Sequence, residues 1–258
     1  MLPGADVERE KGVEGMVVRE ITDENTREAT EQYYKGYNAR KGEGRNDLLS
    51  NPQVLFQFLA AEAALVRALR SIESNPANAK VLDVGCGKGA SLQSLLRMGF
   101  TPSNLYGVDI RPDQIAFARK QLPMSPIQCA DASQLEFADN TFDIVHASAM
   151  FLQVPDEALS AGIAAEMVRV AKPAGHILVS DWRYSKPGSS EFKAVDKKRI
   201  ARLFSVGSHT TVQGVFPGQL IPPVGRFFSQ HLPSLYFLVR AVFPFLIGRV
   251  TTVLQKVK

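Results

Sequence analysis

The 258 residues carry a formal net charge of +4, with 45% hydrophobic and 22% charged side chains. That balance can bury a full core and excludes a wholly disordered chain, and the length suits one large α/β domain with additions. The mild positive charge is scattered rather than gathered into a long Lys/Arg run, which argues against nucleic acid as a partner.

Residues 1–30 are polar, without periodicity, and read as a mobile leader. They lack the apolar core of a signal peptide. Residues 31–76 read as a helical cap. They begin with a tyrosine-rich, charged stretch, and then Asn51 caps a helix that has Pro52 at its first position. Val54, Leu55, Phe58, Leu65, Val66 and Leu69 keep helical spacing to about Ile72.

From Lys80 onward strand and helix patterns alternate. Strands are expected at 81–84, 105–110, 126–130, 142–147 and 176–180, with helices at 89–98, from Pro112 to Leu122, and at 156–171. This alternation predicts a doubly wound, mostly parallel α/β sheet with helices on both faces. A basic amphipathic helix is expected over 190–204 and a strand over 210–216. An aromatic, proline-rich insertion covers 220–248, and 249–256 reads as a final edge strand. The α/β core is assigned to 77–258, with 190–248 as a cap over it. No segment offers a long uncharged span. The nearest, 232–248, is broken by Arg240 and Pro244.

The loop Val84-Gly85-Cys86-Gly87-Lys88-Gly89 follows a strand and precedes a helix, so its backbone can approach a ligand closely. Its G-x-G-x-G spacing is not the dinucleotide G-x-G-x-x-G. Asp83 stands just before it, where a carboxylate repels a pyrophosphate but can hold an ammonium. Asp109 closes the second strand, where a carboxylate can accept both hydroxyls of a ribose; alternatively it caps the helix after Arg111. Cys86 and Cys129 form neither a disulfide framework nor a zinc pattern, and no compact His/Cys/carboxylate cluster argues for a metal. A reduced, cytoplasmic setting fits.

These motifs together resemble the class I S-adenosylmethionine (SAM) dependent methyltransferases of the type 11 group, with their Rossmann-like fold. VLDVGCGKG is similar to the first motif, LYGVDI to the second, CADASQLEF to the third, FDIVHAS to the fourth strand and MVRVAKPAGHILVSDW to the elements that close the core. The resemblance implies SAM as cofactor and S-adenosyl-L-homocysteine as product. It implies Asp83, Gly85, Cys86 and Gly87 at the methionine end, Asp109 and Ile110 at ribose and adenine, and Asp131 and Ala132 at the adenine edge. Ala147, just past strand four, is expected to offer a backbone contact. Tyr37 and Arg45 are candidates for covering SAM. The chain departs from the family at Pro173-Ala174-Gly175, where Pro-Gly-Gly is common. It departs again at Phe151-Leu152-Gln153, where many relatives place a His.

For a hydroxyl acceptor a base is useful. Asp181 after strand five and His146 in strand four are the candidate catalytic residues; a turn-capping Asp and a satisfied core His are the plainer readings. RNDLLSNPQVLFQFLA near the start and LIPPVGRFFSQHLPSLYFLVRAVFPFL near the end together resemble methyltransferases found with bacterial surface-polysaccharide synthesis, which implies O-methylation of a sugar hydroxyl. The alternatives are a hydrophobic small molecule such as a quinone, lipid or polyketide, or SAM binding without turnover. Segment 226–249 is a candidate for peripheral contact with the inner face of a membrane, with Arg226, Arg240 and Arg249 towards headgroups.

Overall fold

The computed structural model describes residues 47–154, 156–185, 188 and 192–257. Tyr37, Arg45 and the expected leader lie outside them. The first described helix, α1, is Pro52–Ser71; Asn51 caps it, its side chain accepting from the Gln53 N–H. The sheet then begins with β1 (Val81–Val84), followed by α2 (Ala90–Arg97), β2 (Leu105–Asp109), α3 (Pro112–Gln121) and β3 (Ile127–Cys129). Next come β4 (Phe142–Ser148), α4 (Glu157–Val170) and β5 (Ala171–Trp182). The chain ends with α5 (Lys197–Leu203), β6 (Thr210–Pro217), α6 (Pro222–His231), α7 (Tyr236–Val242) and β7 (Arg249–Lys256).

Seven strands form one sheet in the order β3-β2-β1-β4-β5-β7-β6. The first five are parallel, and β7 runs antiparallel to both β5 and β6. The doubly wound sheet expected from the alternating pattern is present. Because side chains alternate across a strand, each face gathers its own core. One face carries Leu82, Val84, Val145, Ala147, Ile177 and Val179 against α4 and α5. The other carries Val81, Ile144, Leu178 and Val253 beneath α1, α2 and α3.

Four expectations need correction. Strand β7 is not the edge: it lies between β5 and β6, with Thr251 to Leu254 buried, while β6 is exposed along its middle and forms the edge. The helix expected over 190–204 is confined to Lys197–Leu203. Asp196 caps it, and the preceding residues are pinned extended by Val195 N–H to the Trp182 carbonyl (2.8 Å) and Lys193 N–H to the Leu152 carbonyl (3.0 Å). Strand five is longer than expected because it includes the Pro173-Ala174-Gly175 turn and continues through Trp182. Finally, among the described residues α1, not 232–248, is long and apolar enough by length and composition to cross a membrane. It is instead built into the fold, burying Gln57, Ala60, Ala64 and Ala68 against α6 and the sheet.

The insertion between β6 and β7 emerges where Pro217 pairs Val250, and Trp182 pairs Arg249 on the same edge. It therefore sits at the C-terminal edge of the parallel strands. It is tied to α1 by a closed set of buried bonds. The Tyr236 hydroxyl donates to Gln57 Oε1 (2.6 Å) and accepts from Leu220 N–H (3.2 Å), while Gln57 Nε2 donates to the Leu220 carbonyl (3.3 Å). Burial pushes the Tyr236 phenol up to about 12, so it stays a donor.

Ala174 has φ +61°, a left-handed conformation that crowds its Cβ. At Gly175 a Cβ would meet the Lys172 carbonyl oxygen at 2.8 Å, so the turn requires glycine there. Ala174→Gly should raise stability by up to about 1 kcal/mol, the relieved strain being partly offset by greater freedom in the unfolded chain. Urea unfolding checks this; a lower midpoint in the variant would contradict it.

Candidate cofactor site

The glycine loop turns sharply because Gly85 and Gly87 adopt φ +71° and +52°. Gly85 N–H and Cys86 N–H both donate to the Val108 carbonyl (2.8 and 2.9 Å), which ties the loop to β2. Met150, in the loop after β4, closes against Gly85, where an added Cβ would meet its Cγ at 3.0 Å. The Cys86 side chain turns into the core beside Gly107 and Leu92, and burial followed by the Asp83 and Asp109 carboxylates pushes its thiol up. Its backbone remains in the glycine loop.

Asp109 braces the loop from the end of β2. Its Oδ2 accepts from Gly87 N–H and its Oδ1 from Arg111 N–H, both at 2.9 Å. Burial pushes its carboxyl up, opposed by those two bonds. Each oxygen keeps a further acceptor direction for a diol. Ile110 follows immediately. Beyond β3, Asp131 Oδ1 accepts from the Ser133 N–H and hydroxyl, both at 2.8 Å, which fixes the turn that carries Ala132. Ala147 is inside β4, paired with both Val84 and Val179, and not past it; the residues beyond the strand are Ala149, at φ +53°, and Met150.

Beneath the loop lies a polar layer that crosses four strands. Asp83, His146, Ser180 and Thr251 are all buried on the α1 face. His146 Nδ1 is 2.9 Å from Asp83 Oδ1, its Nε2 is 3.4 Å from Ser180 Oγ, and Ser180 Oγ is 2.8 Å from Thr251 Oγ1. A carboxylate at Nδ1 places the ring proton there. Asp83 Oδ2 is buried without a hydrogen-bond partner. A carboxylate oxygen in that condition is costly unless a cation or donor reaches it. An ammonium next to Gly85 would meet that need, so the residues present fit SAM's methionine end.

Asp181 lies on the opposite face from His146, because it alternates with Ser180 along β5. Its Oδ2 accepts from Leu152 N–H (3.1 Å) and its Oδ1 from Trp182 N–H (2.8 Å). The structure therefore does not bring the two candidate catalytic residues together. Asp181 and buried Arg199 fasten the same loop after β4: the Arg199 guanidinium donates to the Phe151 and Val154 carbonyls at 3.0 and 2.8 Å. Among the described residues, no group of three or more His, Cys, Asp or Glu comes together.

Sequence reasoning missed Ser180, Thr251 and Ser148, and expected Arg249 to face headgroups rather than this layer. Arg249 donates to Ser148 Oγ (2.6 Å) and to the Ser180 carbonyl (3.2 Å). Burial pulls the Arg249 guanidinium down, opposed by the charge of Asp181. The alternation Arg249, Thr251, Val253 marks these residues as one face of a strand, which is the signal that could have found them.

Burial raises the Asp181 carboxyl to about 6 against an ordinary 3.8. A raised acid stabilises the fold most when protonated. Its contribution is complete below about pH 4 and is lost as pH rises through about 6. The stability of the wild type relative to Asp181→Asn should therefore fall by up to about 3 kcal/mol across that window. Urea unfolding at a series of pH values checks it; a flat difference, or a rise, would contradict it.

The type 11 methyltransferase-domain family matches residues 82–179. A 2-methyl-6-phytyl-1,4-hydroquinone methyltransferase of Synechocystis is 29% identical over 194 residues, covering 72% of this chain and 58% of that protein. A demethylmenaquinone methyltransferase of Streptomyces avermitilis is 26% identical over 175 residues, covering 67% and 64%. The chain thus spans about three fifths of the length of these curated relatives. The solved geranyl diphosphate C-methyltransferase of Streptomyces coelicolor, bound to S-adenosyl-L-homocysteine, superposes at TM-score 0.56 with 14% identity, over 77% of each chain; this is a likeness of fold. A braced glycine loop after β1, a carboxylate ending β2 and an Asp turn after β3 all fall within residues 82–179, the stretch that matches the type 11 methyltransferase-domain family.

Proposed function

We propose that the chain transfers the methyl group of SAM to an apolar small molecule of the prenylated-quinol class. The observation that carries this reading is the insertion at the ligand edge. Phe227, Leu232, Phe243 and Phe245 are exposed there, on segments held at the C-terminal edge of the parallel strands. Ligands of open α/β sheets bind at that edge. Both curated relatives reported above are named for quinone-type acceptors, one of which bears a phytyl chain.

When bound, SAM supplies a sulfonium methyl already activated for displacement. The chain's own work is then placement and exclusion of water. In this reading Asp83 Oδ2 holds the ammonium, Gly85 and Gly87 admit the methionine backbone, and Asp109 accepts the ribose hydroxyls. Ile110 flanks the adenine, and Asp131 and Ala132 meet its edge. His146 is a positioning residue: its bond to Oδ1 leaves Oδ2 as the free acceptor. Asp181 is also a positioning residue, because both its oxygens hold backbone N–H groups of the loop beside the acceptor. Proton removal is not assigned to either.

A sugar-hydroxyl acceptor is the competing outcome, and binding without turnover is another. All three separate in one assay. Methyl-labelled SAM is incubated with the chain and either a short-chain prenylated quinol or a set of methyl glycosides. Transfer to the quinol, abolished by Asp109→Ala together with about a hundredfold or greater loss of SAM affinity, is the expected result. Transfer to glycosides alone would replace the acceptor assignment. SAM binding with no transfer to either would count against turnover.

A further inference from the structure

We propose that the outward face of the insertion docks on an anionic phospholipid bilayer, so that the acceptor is taken from the membrane at the ligand edge. The proposal rests on the apolar-acceptor reading for its purpose, while the surface itself is argued from geometry and charge.

Helix α7 has two faces. Tyr236 is buried and Val239 packs with it against Phe56 and Leu220. Leu235, Leu238 and Val242 fall at i, i+3 and i+7 on the outward side, and Phe245 follows them. Leu238 and Val242 are each 57% exposed and Phe245 is 64% exposed. Among the described residues these side chains stand more than half exposed, yet the backbone beneath them is firmly held. Arg183 donates to the Pro244 and Ile247 carbonyls at 2.6 Å each, and the Tyr184 hydroxyl donates to the Phe245 carbonyl at 3.0 Å. A rigid, outward apolar ridge is the geometry of an interfacial contact.

Charge selects the occupant. Residues 218–248 contain only Arg226 and Arg240 among the ionised types. A surface without carboxylates meets no repulsion from anionic headgroups, and each cation near such a membrane is attracted to it. The structure also revises the cations expected to face headgroups. Arg249 is turned inward to Ser148 and Ser180, and Arg240 donates to the Pro217 and Gly218 carbonyls at 3.1 and 3.3 Å while lying over the Phe237 ring. The ridge therefore attaches through apolar insertion, and the absence of carboxylates from 218–248 removes electrostatic opposition to an anionic surface.

The test is sedimentation of the whole chain with vesicles of phosphatidylcholine containing phosphatidylglycerol, and with vesicles of phosphatidylcholine alone. The second protein is the combined variant Leu238→Gln, Val242→Gln and Phe245→Gln, all exposed positions. Wild type should sediment with anionic vesicles, more weakly with neutral ones and less at high salt. The variant should partition roughly tenfold or more less, with unchanged SAM affinity and unchanged thermal unfolding. Wild type left in the supernatant with anionic vesicles, or a variant that binds as wild type does, would overturn the proposal. So would a fall in the variant's unfolding temperature, which would mean that the chain itself covers the ridge. Concentration-dependent self-association removed by the variant would assign the ridge to a second copy instead. Methylation of a short-chain quinol in vesicle-free solution is read in parallel. Its absence beside intact vesicle binding would remove the acceptor reading and leave the docking surface standing.

Discussion

The contact between His146 Nδ1 and Asp83 Oδ1, 2.9 Å long and buried, is the interaction on which the ligand edge depends. It joins β4 to β1 at the level where the glycine loop begins. Removing one member of such a pair leaves a buried polar group unsatisfied, at a cost of about 1–3 kcal/mol. The pair is continued by Ser180 and Thr251, so four neighbouring strands share one polar layer beneath an otherwise apolar sheet face. Such layers are retained only where each member has a partner. The exception here, Asp83 Oδ2, is the atom nearest in sequence to the loop that receives the cofactor.

The two sheet faces divide the labour. On the α1 face the polar layer underlies the glycine loop, and α1 in turn carries the insertion through Gln57, Leu220 and Tyr236. On the α4 face Asp181 and Arg199 hold residues 151–154, the loop that follows β4. Met150 at the root of that loop closes against Gly85. The glycine loop and the loop after β4 are thus positioned by separate sets of buried polar bonds.

The parallel strands were legible because short apolar runs between glycines and helical patterns have few other solutions. Asp109 and Asp131 stood out because one ends β2 and the other follows β3, each within a recognisable motif. The place of β7 was not, since an alternating strand such as RVTTVLQK suits an edge or an interior position and only pairing decides. The polar layer was hidden for a related reason. His146, Ser180 and Thr251 are isolated polar residues in three separate runs, and they become a group only through register. Helix α5 was read too long because the pattern of residues 190–204 does not show that Lys193 and Val195 are pinned extended by backbone bonds to Leu152 and Trp182. The turn at Ala174 shows the limit from the other side: the sequence names the departure, and the positive φ appears only in the structure.

The most direct measurement compares two ligands by calorimetric titration into the wild type and Asp83→Asn. S-adenosyl-L-homocysteine has the amino-acid end that Asp83 is argued to hold, and methylthioadenosine lacks it. The account predicts that the variant loses roughly tenfold or more in affinity for S-adenosyl-L-homocysteine and keeps its affinity for methylthioadenosine. Equal loss for both ligands, or none for either, would contradict the assignment of Asp83 to the ammonium.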